Sequence, residues 1–181
     1  MRDLSLHILD VIENSIRAGA SSIAVTLAEV PATDTLQVTV EDDGSGLSVP
    51  ADAATDPFYT TKAGKRVGLG LSLLGAAAEQ AGGKLTVATS RLGGLAVTAT
   101  MKLSHIDRTP LGDLAATLSS VVCTNPDVDL SCRMCVGERE FVVRAADVLK
   151  ELPFGQRRGL AVARRLAERV RAGLAAVHAT A

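Results

Sequence analysis

Between residues 4 and 40 the spacing of apolar side chains changes from helical to alternating, and that change fixes the order of the first three elements. Ile8, Ile12 and Ile16 recur every fourth residue, the period of one helix face, in a segment from Leu4 to about Ala18. Asp10, Asn14 and Arg17 repeat at i, i+4 and i+7 on a different face. Gly19 ends the helix. Ile23, Val25 and Leu27 then alternate, as do Leu36, Val38 and Val40, with a turn over Pro31 to Asp34 between them. The result is a hairpin with one buried face. Its second strand runs straight into Glu41-Asp42-Asp43-Gly44-Ser45-Gly46.

Residues 44–67 carry no sustained period and are rich in Ala, Thr, Pro and Gly, and a loop that long in a compact domain is more often functional than idle. Gly68-Leu69-Gly70 opens a second helix reaching about Ala81, with Leu71, Leu74 and Ala78 on one face and Gly82-Gly83 as its stop. Strands follow over Leu85 to Ser90 and Leu95 to Leu103 around Gly93-Gly94. The order helix, hairpin, loop, helix, hairpin predicts an α+β fold. This is a two-layer α/β sandwich of a mixed, mostly antiparallel sheet with helices on one face. After residue 104 the composition shifts. Asp107-Arg108-Thr109-Pro110 reads as a linker into a helix over Leu111 to Val122, then a hairpin in 127–144 turning at Gly137-Glu138, then a helix from about Arg157 to Val177. Residues 1–104 are thus expected to form one domain and 105–181 a small C-terminal α/β extension.

Composition narrows the function classes. The chain has no Trp, one Tyr and three Phe, so its core is aliphatic and it lacks the aromatic platforms on which single-stranded nucleic acids stack. A net charge of −1 gives no whole-chain attraction to DNA or an acidic bilayer. No apolar run is long enough to span a membrane and the N-terminus lacks a signal-peptide core, so a cytoplasmic location is expected. Three cysteines do not make a disulfide framework.

A nucleotide site needs a group that reads the base, a metal ligand and backbone donors for phosphate. Asp42 stands at a strand end with glycines at 44 and 46. A carboxylate there can accept from an exocyclic amine while the glycines let backbone approach a planar ring. Asn14 projects from mid-helix, where Asn has no propensity advantage, and its amide oxygen suits Mg²⁺. Gly68-Leu69-Gly70 starts a helix whose free N–H groups and positive dipole end favour anions. Thr60, Thr61, Lys62, Lys65 and Arg66 precede it and are placed to clamp phosphates. Each piece has an ordinary alternative: a solvated Asn, an Asp-Asp-Gly turn, a tight Gly-x-Gly loop. The joint order is what points to a site.

That order resembles the GHKL (Bergerat-fold) ATP-binding superfamily, which includes histidine kinases, gyrase-type topoisomerases, mismatch-repair ATPases and heat-shock chaperone ATPases. Glu13-Asn14-Ser15-Ile16-Arg17-Ala18-Gly19-Ala20 resembles the N box and Val40-Glu41-Asp42-Asp43-Gly44-Ser45-Gly46-Leu47 the first glycine box. Asp56-Pro57-Phe58-Tyr59-Thr60-Thr61-Lys62 is similar to a segment of the histidine-kinase branch, and Val67-Gly68-Leu69-Gly70-Leu71-Ser72 to the second glycine box. The resemblance covers residues 1 to about 103. It implies ATP and Mg²⁺ as cofactors, Asp42 on the adenine amine, Asn14 on the metal, and Gly44, Gly46, Gly68, Leu69 and Gly70 around the pocket.

Hydrolases of this superfamily place a Glu one helical turn before the metal Asn. Asp10 holds that position here and is the candidate general base, with a side chain one methylene shorter. A histidine kinase also needs a phosphoacceptor His on a helical hairpin before the ATP domain. The chain starts too close to the N box to hold one, and His7, His105 and His178 match no acceptor motif. The expectation is a standalone Mg·ATP-binding protein that phosphorylates or switches a protein partner. One alternative is a slow ATPase with ATP-gated homodimerisation. Another is a redox or metal-sensing module using Cys132 and Cys135, with Cys123 and His105 as the other candidate ligands. The two CxxC cysteines fall in an expected strand, however, where i and i+3 point to opposite faces. The arginines of the last helix are expected to lie in water beside an apolar stripe, or to meet an acidic partner or nucleic acid.

Overall fold

A computed structural model describes residues 3–46 and 69–178. Asp3 caps the first helix, α1 (Leu4–Arg17), its carboxylate accepting from the Leu6 N–H at 3.1 Å and from the Ser5 hydroxyl at 2.7 Å. Leu4, Ile8, Val11 and Ile12 are buried, and each such side chain contributes about 1.5–3 kcal/mol by leaving water. The hairpin follows as β1 (Ser22–Val30) and β2 (Thr35–Asp42) around a short 3₁₀ turn at Pro31–Thr33. Then come α2 (Leu69–Gln80), β3 (Lys84–Thr89) and β4 (Leu95–Lys102). The remaining elements are α3 (Leu114–Thr124), β5 (Asp129–Val136), β6 (Arg139–Arg144), α4 (Ala145–Glu151) and α5 (Leu160–His178).

The six strands form one open sheet in the order β3-β4-β2-β1-β5-β6, antiparallel throughout except for the parallel pair β1 and β5. Register aligns one apolar row across all six strands: Val87, Val97, Val40, Val25, Cys132 and Val143. Because strand side chains alternate, this row and its i±2 neighbours point to one face. The helices cover that face, and Leu74, Leu118, Val148 and Leu166 join it in a single core. The other face carries Thr26, Thr39 and Thr98 with Ala24, Ala28 and Ala96. This is the expected two-layer α+β architecture. The β5–β6 hairpin continues the same sheet beside β1, so the core holds side chains from both ends of the chain.

Two boundaries and one element differ from the sequence reading. The helix expected from Leu111 begins at Leu114, because Asp113 caps it by accepting from the Ala116 N–H at 2.8 Å. The last helix begins at Leu160 rather than Arg157, since Phe154–Gln156 forms a separate 3₁₀ turn and Gly159 has φ +61°. The helix α4 was not anticipated. It has seven residues, too few for a 3.6-residue period to register. No helix among the described residues is long and apolar enough to cross a membrane.

Candidate functional site

The last residue of β2 turns a carboxylate toward the helix layer. Asp42 pairs with Ile23 across the sheet and so shares the inward face with Val40 and Val38; it is 4% exposed. A carboxylate buried that deeply needs partners, and three are present among the described residues. The Ser15 hydroxyl donates to Oδ2 at 2.5 Å, and the Gly44 and Leu95 N–H groups each donate to Oδ1 at 3.0 Å. A carboxylate offers about four lone-pair positions, so among the described residues one on Oδ2 remains for a further donor.

Asp43 does a different job. Lying beyond the strand, it accepts from the Ser21 N–H (2.7 Å), the Ser21 hydroxyl (2.6 Å) and the Ser22 N–H (2.8 Å). The Ser21 hydroxyl first, then the Ser22 N–H, hold its carboxyl below the usual range. It ties the end of β2 to the start of β1. Glu41 points to the opposite face and is 6% exposed, bound by both Arg91 nitrogens at 3.1 and 2.6 Å. Of three consecutive acids, only Asp42 enters the helix layer.

Ser15 and Gly94 were not among the expected site residues. Gly94 lies in the β3–β4 turn, and its N–H donates to the Asp42 carbonyl at 3.0 Å. A Cβ there would overlap the Asp42 carboxylate and the Gly44 nitrogen. Gly44 is confined as well: a Cβ on it would lie 3.2 Å from both Ala18 Cβ and the Ala18 carbonyl oxygen. Gly46 has φ +69° with nothing near its Cβ position. Gly93-Gly94 read as an ordinary turn because only the folded chain brings residue 94 against residue 42. Ser15 was visible inside the N-box resemblance but carried no role there.

Asp10 and Asn14 sit one turn apart on the half-buried side of α1. A Cβ at Gly70 would lie 3.3 Å from Asp10 Cβ and 3.4 Å from its Oδ2, so Asp10 rests against the first turn of α2. Asn14 Oδ1 accepts from Arg17 Nη2 at 2.8 Å, which leaves one of its two lone pairs. Leu69 is the first residue of α2, and its side chain, like Thr60, Thr61, Lys62 and Gly68, lies outside the described residues. The structure thus sets Asp42 and Gly44 against α1 at Ser15 and Ala18 and Gly70 against Asp10, with Asn14 one turn beyond Asp10 on the same side of α1.

The cysteine reading fails on geometry. Cys132 pairs with Val25 and Val143 on the core face and is 2% exposed, and burial pushes its thiol up to about 12. Cys135, three residues on, faces the opposite side of the sheet beside Arg133, and Cys123 is exposed on α3. The CxxC pair therefore cannot close on one ion or one bond. No cluster of three or more metal-binding side chains occurs among the described residues.

A mixed sheet with helices on one face and a buried Asp at the mouth of the helix layer is the Bergerat architecture. Residues 2–105, more than half of the 181-residue chain, match the family described as histidine kinase-, DNA gyrase B- and HSP90-like ATPases, and the chain belongs to it. Among solved structures it is similar to the ATP binding domain of PrrB from Mycobacterium tuberculosis, at 22% identity over 54% of this chain and 64% of that one, with a TM-score of 0.42. It is similar to the N-terminal domain of a DNA repair protein, at 13% identity over 79% and 52%, with a TM-score of 0.51. A third is the Aquifex aeolicus MutL ATPase domain complexed with ADP, at 14% identity over 80% and 63%, with a TM-score of 0.47. The chain therefore spans less than two thirds of each of these structures. No curated relative matches it significantly.

Proposed function

We propose that this chain binds Mg·ATP in the pocket headed by Asp42 and uses it to phosphorylate or switch a protein partner in a cytosolic regulatory system. The observation that carries the reading is the Asp42 carboxylate: buried, fixed by Ser15, Gly44 and Leu95, and left with one acceptor position on Oδ2. An exocyclic amine supplies the donor that such a position requires, and a rigid acceptor discriminates against bases lacking one. Family membership over residues 2–105 supports ATP as the nucleotide.

Asn14 would hold Mg²⁺ through its amide oxygen, which accepts from Arg17 Nη2 at 2.8 Å and has a second lone pair. Bound Mg²⁺ supplies neutralisation of phosphate charge. The N-terminus of α2, together with Thr60, Thr61 and Lys62, would take the phosphates.

A second reading, a slow ATPase with ATP-gated dimerisation, draws on Asp10. Its carboxylate rests against Gly70 at the start of α2, the end of the pocket where a helix favours anions, and it has no hydrogen-bond partner among the described residues. Asp10 would then serve as the base that activates water. Phosphate release that is lost in Asp10→Asn would favour this reading over partner phosphorylation.

Calorimetric titration of ATP, with and without Mg²⁺, tests the site itself. Binding should vanish in Asp42→Ala and lose its Mg²⁺ dependence in Asn14→Ala. Wild-type protein that fails to bind ATP, or an Asp42→Ala variant that binds it normally, would overturn the proposal.

A further inference from the structure

The arginines of the C-terminal helix are not equivalent. Arg165 and Arg169 both reach Glu151, at 3.1 and 2.9 Å, and Arg171 reaches Asp113 at 3.4 Å. These three fasten α5 to α4 and to the cap of α3. Arg157, Arg158 and Arg164 form no ion pair among the described residues. Arg157 instead lies over the Phe154 ring, 5.8 Å from its centroid, with its Nε donating to the Leu152 carbonyl at 3.0 Å. Two large apolar side chains stand out of the same stretch: Phe154 is 88% exposed and Leu160 is 70% exposed. Three positive charges without an ion pair among the described residues and two exposed hydrophobic side chains therefore share an eleven-residue segment of a chain whose net charge is −1.

This segment runs between two concavities. On one side Ala116 and Ser119 of α3, with Ala163 and Ala167 of α5, line a groove of about 360 Å³, together with Leu160, Arg164, Glu168 and Arg171; Glu168 is met by Arg165 at 3.4 Å and Arg171 by Asp113, so Arg164 is the charge on this lining without an ion pair among the described residues. Ala163 and Ala167 are buried, so small side chains form its floor. On the other side Val122, Val128, Leu149 and Val162 line a cavity of about 180 Å³, with Arg157 and Arg158 on one rim and Asp127 and Asp129 on the other. The first concavity has the form that seats a helix, since small residues let a backbone approach closely. The second can take an aliphatic anchor.

We infer that this face, from Arg157 to Arg164 with the α3–α5 groove, docks an acidic amphipathic helix of a protein partner. Its aliphatic side chains would lie on Ala163 and Ala167 against Leu160 and Phe154. Its carboxylates would meet Arg158 and Arg164. Charge complementarity selects this occupant. A second copy of the chain would bring the same unpaired arginines into opposition, and like charges across an interface are costly. A bilayer would contact a convex surface, whereas the alanine floor is recessed. Nucleic acid would find three arginines without aromatic stacking surface beyond a single Phe ring. The inference deepens the partner-directed reading above and rests on it for the partner's role, but its surface shares no residue with the nucleotide pocket.

Fluorescence anisotropy with a labelled amphipathic helix, leucines on one face and glutamates flanking them, tests the surface on the full chain. Saturable binding is expected, weakened about tenfold by R158E/R164E, which removes two rim charges and replaces them with opposing ones. Ala116→Trp should weaken it comparably by filling the groove from an exposed position. The same helix with lysine for glutamate should not bind. The docking inference is overturned if both helices bind alike, if neither variant changes the affinity, or if a DNA duplex or phosphatidylserine–phosphatidylcholine vesicles bind more tightly and compete. ATP titration of the same variants separates the two proposals. Absent helix binding with intact ATP affinity sinks only the docking surface, whereas absent ATP affinity in the wild type sinks the nucleotide reading.

Discussion

The Ser15 hydroxyl lies 2.5 Å from Asp42 Oδ2, joining the middle of α1 to the end of β2 across the helix–sheet interface. Both side chains are buried, at 3% and 4% exposure, so the contact sets the orientation of the carboxylate that heads the pocket. Ser15 Oγ also lies 3.2 Å from the Val11 carbonyl, but one hydroxyl proton serves the shorter contact.

Ser15→Ala removes one of the three donors to a buried carboxylate. A loss of about 1–3 kcal/mol in urea unfolding is expected, the usual penalty for an unmet buried charge acceptor. ATP affinity should fall as well, because Oδ2 is then free to rotate. Ser15→Thr, which keeps the hydroxyl, should retain most of both. Unchanged stability and affinity in the Ala variant would remove Ser15 from the site.

Adjacent glycines in one turn should respond oppositely. A Cβ at Gly94 collides with the Asp42 carboxylate, so Gly94→Ala is expected to reduce ATP affinity by more than roughly 100-fold, about 3 kcal/mol. Gly93 has φ +107° but open space around its Cβ position. Gly93→Ala should cost about 1–3 kcal/mol of stability from backbone strain and leave ATP affinity within a few fold. Calorimetry and thermal melts on the pair give both readouts.

Removing Arg91 strands a carboxylate. Arg91 is the bidentate partner that, by hydrogen bonding first and charge second, holds the Glu41 carboxyl below its ordinary 4.5. A depressed folded pKa stabilises the fold above the unfolded value, and that contribution fades as pH falls through the depressed one. Arg91→Ala should therefore lower the melting temperature at neutral pH and flatten the acid limb of the stability profile. Arg91→Ala/Glu41→Gln should recover part of the loss, since no buried charge is then left unpaired. An additive double variant would refute the coupling.

His178 gives the opposite pH dependence. Its Nδ1 lies 2.8 Å from the Leu174 carbonyl and its Nε2 3.1 Å from Glu29 Oε1, linking the end of α5 to β1. The Leu174 carbonyl first, then Glu29, raise its pKa above 6.5 despite burial and the nearby Arg139. The protonated contact thus stabilises fully below 6.5 and is lost as pH rises through the raised value. The ring is 43% exposed, so the effect should stay under about 1 kcal/mol. Chemical denaturation across that window, compared with His178→Ala, should show a slope in the wild type only.

Much of this was legible along the chain, and particular residues show why. Ile8 and Ile12 on α1, and Val25, Val38 and Val40 in the hairpin, lie on the buried faces their periods indicated, because amphipathic spacing and burial are the same fact seen twice. Asp42 stood out in the sequence by its strand end and the glycines at 44 and 46; that its side chain points inward while Asp43 ties β2 to β1 was decided by the fold. Ser15 and Gly94 carry no periodic signal: their importance lies in distances to residue 42, which is 27 and 52 positions away. The cysteines were the reverse case, a recognisable spacing that a strand splits between two faces.

The sequence by itself determined local matters: the order of the longer elements, the inward faces of α1, the first hairpin and α2, and the box residues of an ATPase family. Short-range periodicity and turn chemistry are written in neighbouring residues. Only the tertiary structure decided that β5 pairs parallel with β1 and places the C-terminal hairpin in the same sheet. It also decided that Ser15, Leu95 and Gly94 close around Asp42, and which arginines of α5 are consumed by Glu151 and Asp113. Those outcomes depend on which elements become neighbours, a choice made by packing one shared core and satisfying its buried polar groups, and no segment carries that information alone.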